Sequence, residues 1–130
     1  MKRFLILSFP VFTVFFLGCQ ETEKTEAVLL SAEEMKTMLE DKSLLLIDVR
    51  TPKEFAEGHI KNAINIDFYS ETFKEDIKKL DPNVPVLLYC RSGGRSGKTA
   101  KMLQKTGFKK SFDLKGGILK WKEQGFEIIK

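Results

Sequence analysis

The stretch Val86-Leu87-Leu88-Tyr89-Cys90-Arg91-Ser92-Gly93-Gly94-Arg95-Ser96 turns an apolar run directly into a glycine- and arginine-bearing loop, with one thiol at the junction. A short continuous apolar run is what a strand buried on both faces presents, and such strands belong to parallel sheets. A cysteine at the carboxyl end of the strand is followed by backbone N–H groups able to converge on it and by two guanidinium groups. Cationic neighbours and a helix N-terminus lower a cysteine pKa from about 8.5 to roughly 3.5–7.5, and the thiolate is the nucleophile. A cysteine that only fills core space has no use for two glycines and two arginines beside it. The pattern therefore marks Cys90 as reactive.

Outward from this stretch, short apolar runs alternate with helical segments. Val28 to Leu30 reads as a strand, and Ser31-x-x-Glu34 is a capping box opening a helix to about Glu40. Leu44 to Asp48 is a second apolar run. Thr51-Pro52-x-Glu54 starts a short helix with Thr51 as N-cap and Pro52 in its first turn, ended by Gly58. Ile64 to Ile66 reads as a strand and Phe73 to Leu80 as a helix stopped by Asp81-Pro82. After Val86 to Tyr89, Ser96 to Lys105 is a helix closed by Gly107. Ser111 to Leu114 is a strand, Ile118 to Gln124 a helix and Glu127 to Ile129 a last short strand. This alternation predicts an α/β layer fold with a mostly parallel sheet covered on both faces. In such sheets ligands gather at the carboxyl ends of the strands, where Cys90 and Asp48 both stand.

The ends bound the domain. Lys2 and Arg3 lead into an uncharged run from Phe4 to Leu17, then Gly18 and Cys19, the layout of a secretory signal over 1–18. The run is shorter than the ~20 apolar residues a membrane span wants. Phe16-Leu17-Gly18-Cys19 resembles a bacterial lipobox, although Phe16 stands where an aliphatic residue is usual. That resemblance implies an acylated Cys19 as the mature N-terminus, with the domain lipid-anchored in the cell envelope, periplasmic or surface-facing. Residues 19–27 are polar without a hydrophobic period and read as a disordered tether. Residues 28–130 are then one domain of ordinary size with room for a single core.

Of the 22 Lys and Arg, Lys2 and Arg3 fall in the leader, so the balance against 18 Asp and Glu is close to neutral. No clustered basic stripe marks a nucleic-acid partner, and Lys109, Lys110 and Lys115 read as a solvated face. With Cys19 assigned to the lipid, Cys90 has no disulfide partner. An unpaired thiol in an oxidising compartment is exposed to damage, which fits a thiol retained for its reactivity.

Three separate stretches carry a family resemblance. They are Asp48-Val49-Arg50-x-x-x-Glu54-Phe55-x-x-Gly58-His59-Ile60-x-Asn62-Ala63-x-Asn65-Ile66, the loop Cys90 to Ser96, and Gly116-Gly117-x-x-x-Trp121. Together they resemble the single-domain rhodaneses, thiosulfate sulfurtransferases, from about Ser31 to the C-terminus. The resemblance implies a three-layer fold around a five-stranded sheet. It also implies ping-pong chemistry: the Cys90 thiolate takes the outer sulfur of a small anionic donor, becomes a persulfide, and passes the sulfur to cyanide or a thiol acceptor. No cofactor is called for. A dianionic donor must approach an anionic nucleophile, so Arg91, Arg95 and the N–H groups of Ser92, Gly93, Gly94 and Ser96 are expected to offset the repulsion. Glycines at 93 and 94 permit the conformations that such a loop needs.

Rival readings of the same residues fare worse. Cysteine phosphatases need an arginine six places after the nucleophile, where Ser96 stands. Ser92 to Thr99 ends like a nucleotide-binding loop, Gly97-Lys98-Thr99, but Ser92 replaces its leading glycine. His59, the single histidine, lies just past a helix end and reads as structural, and one histidine with one free cysteine cannot make a metal site. Arg50 and Glu54, four apart across the capped turn, are expected to pair as scaffolding. Asp48 is expected to hold the loop by accepting N–H bonds, and Trp121 and Phe126 to lie in the core. From another class, a non-catalytic module could use the same pocket to bind sulfur compounds or oxyanions.

Overall fold

The computed structural model describes residues 27–130. The assignments made for 1–18 and for Cys19 lie outside the described residues, as does all of the tether but Ala27. Ala27 itself packs against the core.

Five strands form one sheet: β1 (Val28–Leu30), β2 (Leu45–Asp48), β3 (Ile64–Asn65), β4 (Val86–Tyr89) and β5 (Ser111–Leu114). Their order is β1-β5-β4-β2-β3, and every pairing is parallel. The helices are α1 (Ala32–Met38), α2 (Pro52–Ala56), α3 (Phe73–Lys78), α4 (Gly94–Lys105) and α5 (Gly117–Glu123). This is the α/β fold that the alternation predicts. Strand β4 lies at the centre of the sheet, so the chain leaving it at Cys90 is flanked by the ends of β2 and β5.

The strands divide their side chains between two cores with the period of two that the pleat imposes. Leu46, Leu87, Tyr89 and Leu114 meet Met35 of α1 and Ile118 and Trp121 of α5. Ile47, Val86, Leu88 and Cys90 meet Ile77 of α3 and Ala100 and Leu103 of α4. Each buried Leu or Ile contributes about 1.5–3 kcal/mol by leaving water, so the two layers clamp β4 from both sides. That gives the segment after it a rigid base.

Both capping boxes form as the spacing predicts. Ser31 Oγ accepts from Glu34 N (3.1 Å) while Glu34 Oε2 accepts from Ser31 N (2.7 Å). Thr51 and Glu54 do the same for α2, at 3.3 and 2.9 Å. The end of β2 is fixed by a buried fork: Arg50 Nη2 donates to Asp48 Oδ2 (2.6 Å) and to Gly58 O (2.8 Å), and Asp48 Oδ1 accepts from Arg50 N (2.9 Å). Asp48 therefore accepts an N–H as expected, but from Arg50, not from the Cys90 loop. Strand direction explains this, because Asp48 ends its own strand and its carboxylate turns back on the chain two residues on.

Two expectations are corrected. Glu127–Ile129 is not a strand of the sheet; it makes one antiparallel bridge, with His59 and Ile129 exchanging N–H···O bonds of 2.8 Å. The chain reverses at Gly125 (φ 76°) and lays Ile128 against Gly58, where a β-carbon would come within 2.8 Å of Ile128 Cδ1. The segment thus pairs with the α2 exit instead of a strand. Helix α4 begins at Gly94, two residues before the expected Ser96, so Gly94 and Arg95 belong to its first turn.

Candidate active site

The site is built where β4 ends, and its base is backbone packing. Gly117 has φ 61°, and a β-carbon there would stand 2.4 Å from Arg91 O and 2.6 Å from Cys90 O. Only glycine allows this approach. Because of it, Ile118 N donates to Cys90 O (2.9 Å) and Leu119 N to Arg91 O (3.2 Å). With the two carbonyls held by α5, the Arg91 and Ser92 N–H groups of the same peptide planes face the other way, and the next N–H, that of Gly93, reaches the cysteine sulfur. Gly93, in the left-handed region (φ 113°), closes the curve as N-cap of α4.

Cys90 is buried, with Sγ at the inside of this curve. Gly93 N donates to Sγ at 3.1 Å and Ser96 Oγ at 3.4 Å. Burial opposes ionisation most strongly, yet the Ser96 hydroxyl and the N–H groups of Ser96, Gly93 and Ser92 together hold the thiol below its ordinary value. The expected thiolate is thus favoured by hydrogen bonds. The Arg95 guanidinium, whose pKa the Cys90 charge helps to raise, attracts the thiolate as well, behind these hydrogen bonds.

The arginines have separate tasks. Arg95 is forked onto Glu54, Nη1 to Oε2 at 2.7 Å and Nη2 to Oε1 at 2.9 Å, and its guanidinium lies 5.5 Å from the Tyr69 ring centroid. The expected Arg50–Glu54 pair does not form. Arg50 is folded back on Asp48, and the Glu54 carboxylate turns across the loop to Arg95 while it caps its own helix. Spacing of four on a helix favours such pairs, but Arg50 precedes the N-cap Thr51 and is not on the helix at all. Arg91 is exposed and enters none of the ion pairs among the described residues. Ser92 and Gly94 are exposed at the loop surface.

The rival motifs take concrete form. Lys98 and Thr99 stand in the second turn of α4, with Lys98 exposed and Thr99 Oγ1 donating to Arg95 O (2.8 Å). His59 stacks on Phe55 (3.7 Å between centroids) with Nδ1 3.1 Å from Phe55 O, a structural placement. Trp121 is buried and donates Nε1–H to Glu127 O (2.9 Å), with Phe126 packed edge-on against it. Among the described residues no group of three or more His, Cys, Asp and Glu could hold a metal ion.

Two residues near the site were not singled out from sequence. Tyr69, 68% exposed, flanks Arg95 from a loop that carries no motif. Asp113 is buried in β5 beside the start of α4. Its signal was a charge inside an otherwise buried parallel strand.

A parallel α/β sheet with a hydrogen-bonded thiol at the end of its central strand defines a class of α/β domains built around a loop-held cysteine. The rhodanese-like domain family matches residues 31–124, and the chain belongs to that family. It is 32% identical over 117 residues to the uncharacterized protein YqhL of Bacillus subtilis, covering 90% of each. It is 31% identical to a sulfurtransferase of Allochromatium vinosum, covering 77% of this chain and 92% of the other. A tRNA uridine(34) hydroxylase of Buchnera aphidicola is 36% identical over 98 residues, but the chain spans only 31% of its length. The rhodanese-related protein of Thermoplasma volcanium superposes with a TM-score of 0.70 at 28% identity, covering 78% of this chain and 97% of that one.

Two outcomes are expected. Gly117→Ala forces Arg91 and Cys90 carbonyls away from α5, lowers stability by about 2 kcal/mol or more, and raises the Cys90 pKa. The pH dependence of iodoacetamide alkylation measures the latter, and an unshifted profile would separate the sulfur from this contact. For Glu54, the Arg95 fork, aided by Thr51 and opposed by burial, pushes the carboxyl down to about 2 from 4.5. Its folded pKa lies below the unfolded one, so its stabilisation is complete above pH 4.5 and is lost as pH falls toward 2. Across that window the wild type should lose more unfolding free energy than Glu54→Gln in urea titrations.

Proposed function

We propose that this rhodanese-like domain transfers sulfane sulfur from a small anionic donor such as thiosulfate to a thiol or to cyanide through a Cys90 persulfide. The observation that carries the reading is the set of donors around Sγ. A thiolate held by the Gly93 N–H and the Ser96 hydroxyl is ready to attack, and the same groups face a second sulfur added to it. In the first half-reaction the Cys90 thiolate bonds to the outer sulfur of thiosulfate. The S–S bond to the sulfonate sulfur breaks, and its electron pair leaves with sulfite. In the second, cyanide or a thiolate takes that outer sulfur, and the electron pair of the Cys–S bond returns to Cys90. No net electron is gained or lost over the cycle.

Arg91 is the cation assigned to the donor, because its guanidinium is exposed at the loop while that of Arg95 is engaged by Glu54. Arg95 then acts chiefly by holding the loop. The domain is further proposed to be exported and lipid-anchored through Cys19 in the bacterial cell envelope; the charged, apolar and small-residue layout of 1–19 supports this.

Thiosulfate plus cyanide should yield thiocyanate with the wild type and none with Cys90→Ser. Mass spectrometry after thiosulfate treatment should find one added sulfur on Cys90. Arg91→Ala should raise the KM for thiosulfate about tenfold, the loss of one charged hydrogen bond, with a smaller change in kcat. Equal thiocyanate output from Cys90→Ser would end the reading. In a bacterial host, Cys19→Ser should abolish incorporation of labelled palmitate and release the protein from the membrane fraction; unchanged labelling would refute the anchor.

A further inference from the structure

Asp113 lies in β5 on the face covered by α4. It is 3% exposed, and its Oδ1 has no hydrogen-bond partner. Its neighbours in register are Leu29 of β1 and Leu88 of β4, which offer no polar side chain. Its Oδ2 is close to the first turns of α4, where a β-carbon on Gly97 would stand 3.7 Å from it. Ser96 precedes Gly97 and is fully buried, and its hydroxyl favours the charged form of this carboxyl although its hydrogen bonds go elsewhere. The same hydroxyl lies 3.4 Å from Cys90 Sγ and 3.3 Å from Gly93 O. Cys90, two residues beyond Leu88 and just past β4, lies on the face that Asp113 shares under α4, so the hydroxyl proton has two bonded acceptors and the Asp113 carboxyl as a third nearby. A buried carboxyl oxygen without a partner calls for an explanation, and competition for this proton supplies one.

We propose that Asp113 is a positioning residue that sets the direction of the Ser96 hydroxyl, and through it the charge on Cys90, by its own protonation. As a neutral acid it donates its O–H to Ser96 Oγ, and the Ser96 proton turns to the cysteine sulfur. As a carboxylate it accepts the Ser96 proton, takes that donor from the sulfur, and leaves two anions on either side of one hydroxyl. Ionisation of either group then raises the pKa of the other, and the two titrate as a coupled pair. The proton released at each step goes to water. Asp113 does not touch the donor or the acceptor of sulfur.

The surroundings contain little else that titrates. β1 presents no ionisable side chain, and β4 contributes Cys90 just beyond its end. On α4, Arg95 is held by Glu54 while Lys98 and Lys101 are exposed. Burial pushes the Asp113 carboxyl up to about 6, against the pull of the Ser96 hydroxyl and the Leu114 N–H. Raising the pH through that range converts a group that supports the thiolate into one that competes with it.

The coupling is measured without substrate, by following the ultraviolet absorbance of the Cys90 thiolate against pH. Asp113→Asn, which keeps a hydrogen-bond donor and cannot ionise, should lower the thiol pKa by about one unit and sharpen a broad curve to a single ionisation. Combined with Ser96→Ala, the same substitution should produce no further shift. A folded Asp113→Asn protein whose Cys90 titrates as in the wild type would overturn the proposal. Should that variant not fold, the carbon-13 resonance of the Asp113 carboxyl is titrated in the wild type and in Cys90→Ser. A downward shift in Cys90→Ser supports the coupling, and identical curves overturn it. The meaning of the coupling for catalysis rests on the sulfur-transfer reading, but the two fail separately. Absence of thiocyanate production with the coupling intact would sink only the proposed reaction.

Discussion

The close approach of Gly117 to the carbonyls of Cys90 and Arg91 is the constraint on which the site depends. Peptide planarity means that fixing a carbonyl also fixes the N–H on the opposite side of the same plane. By drawing two successive carbonyls toward α5, the Ile118 and Leu119 N–H groups turn the loop into a curve with its donors inside. The Arg95 charge adds to these dipoles. A charge on Cys90 is supported by dipoles that are already oriented, and in the proposed reaction an oriented dipole costs no reorganisation.

A second consequence is that charge in the site is divided by geometry. Asp48 and Arg50 neutralise one another in the buried layer and tie the end of β2 to Gly58. Glu54 caps α2 and reaches across to Arg95, so one carboxylate links the helix after β2 to the helix after β4. Arg91, on the outer side of the loop, is exposed. Two of the three arginines in the signature stretches therefore hold the framework, and the third is exposed to solvent. Asp113 lies beneath the first turns of α4 as a buried carboxyl.

The fold was largely legible because its signals are local. Apolar runs at Leu45–Asp48 and Val86–Tyr89 need only burial on two faces to become strands, and Ser31/Glu34 and Thr51/Glu54 cap helices through contacts three residues apart. Where local rules misled, a distant partner had intervened. Glu127–Ile129 has the composition of a strand but meets the α2 exit at His59 and Gly58. Ser96 looked like the start of α4, yet Gly94 begins it, because Gly93 supplies the left-handed turn and Gly97 N donates back to Gly93 O.

From the sequence alone, the order of strands and helices up to α5 and the place of Cys90 at a strand end could be derived, because periodicity, capping and glycine punctuation act within a few residues. The tertiary structure decided which charges meet. Arg95 chose Glu54, Arg50 chose Asp48, and Asp113 came to lie beneath the first turns of α4. Ion pairs and buried carboxyls join residues up to 41 positions apart. Their distances are set by how the layers pack, a quantity that no local pattern encodes.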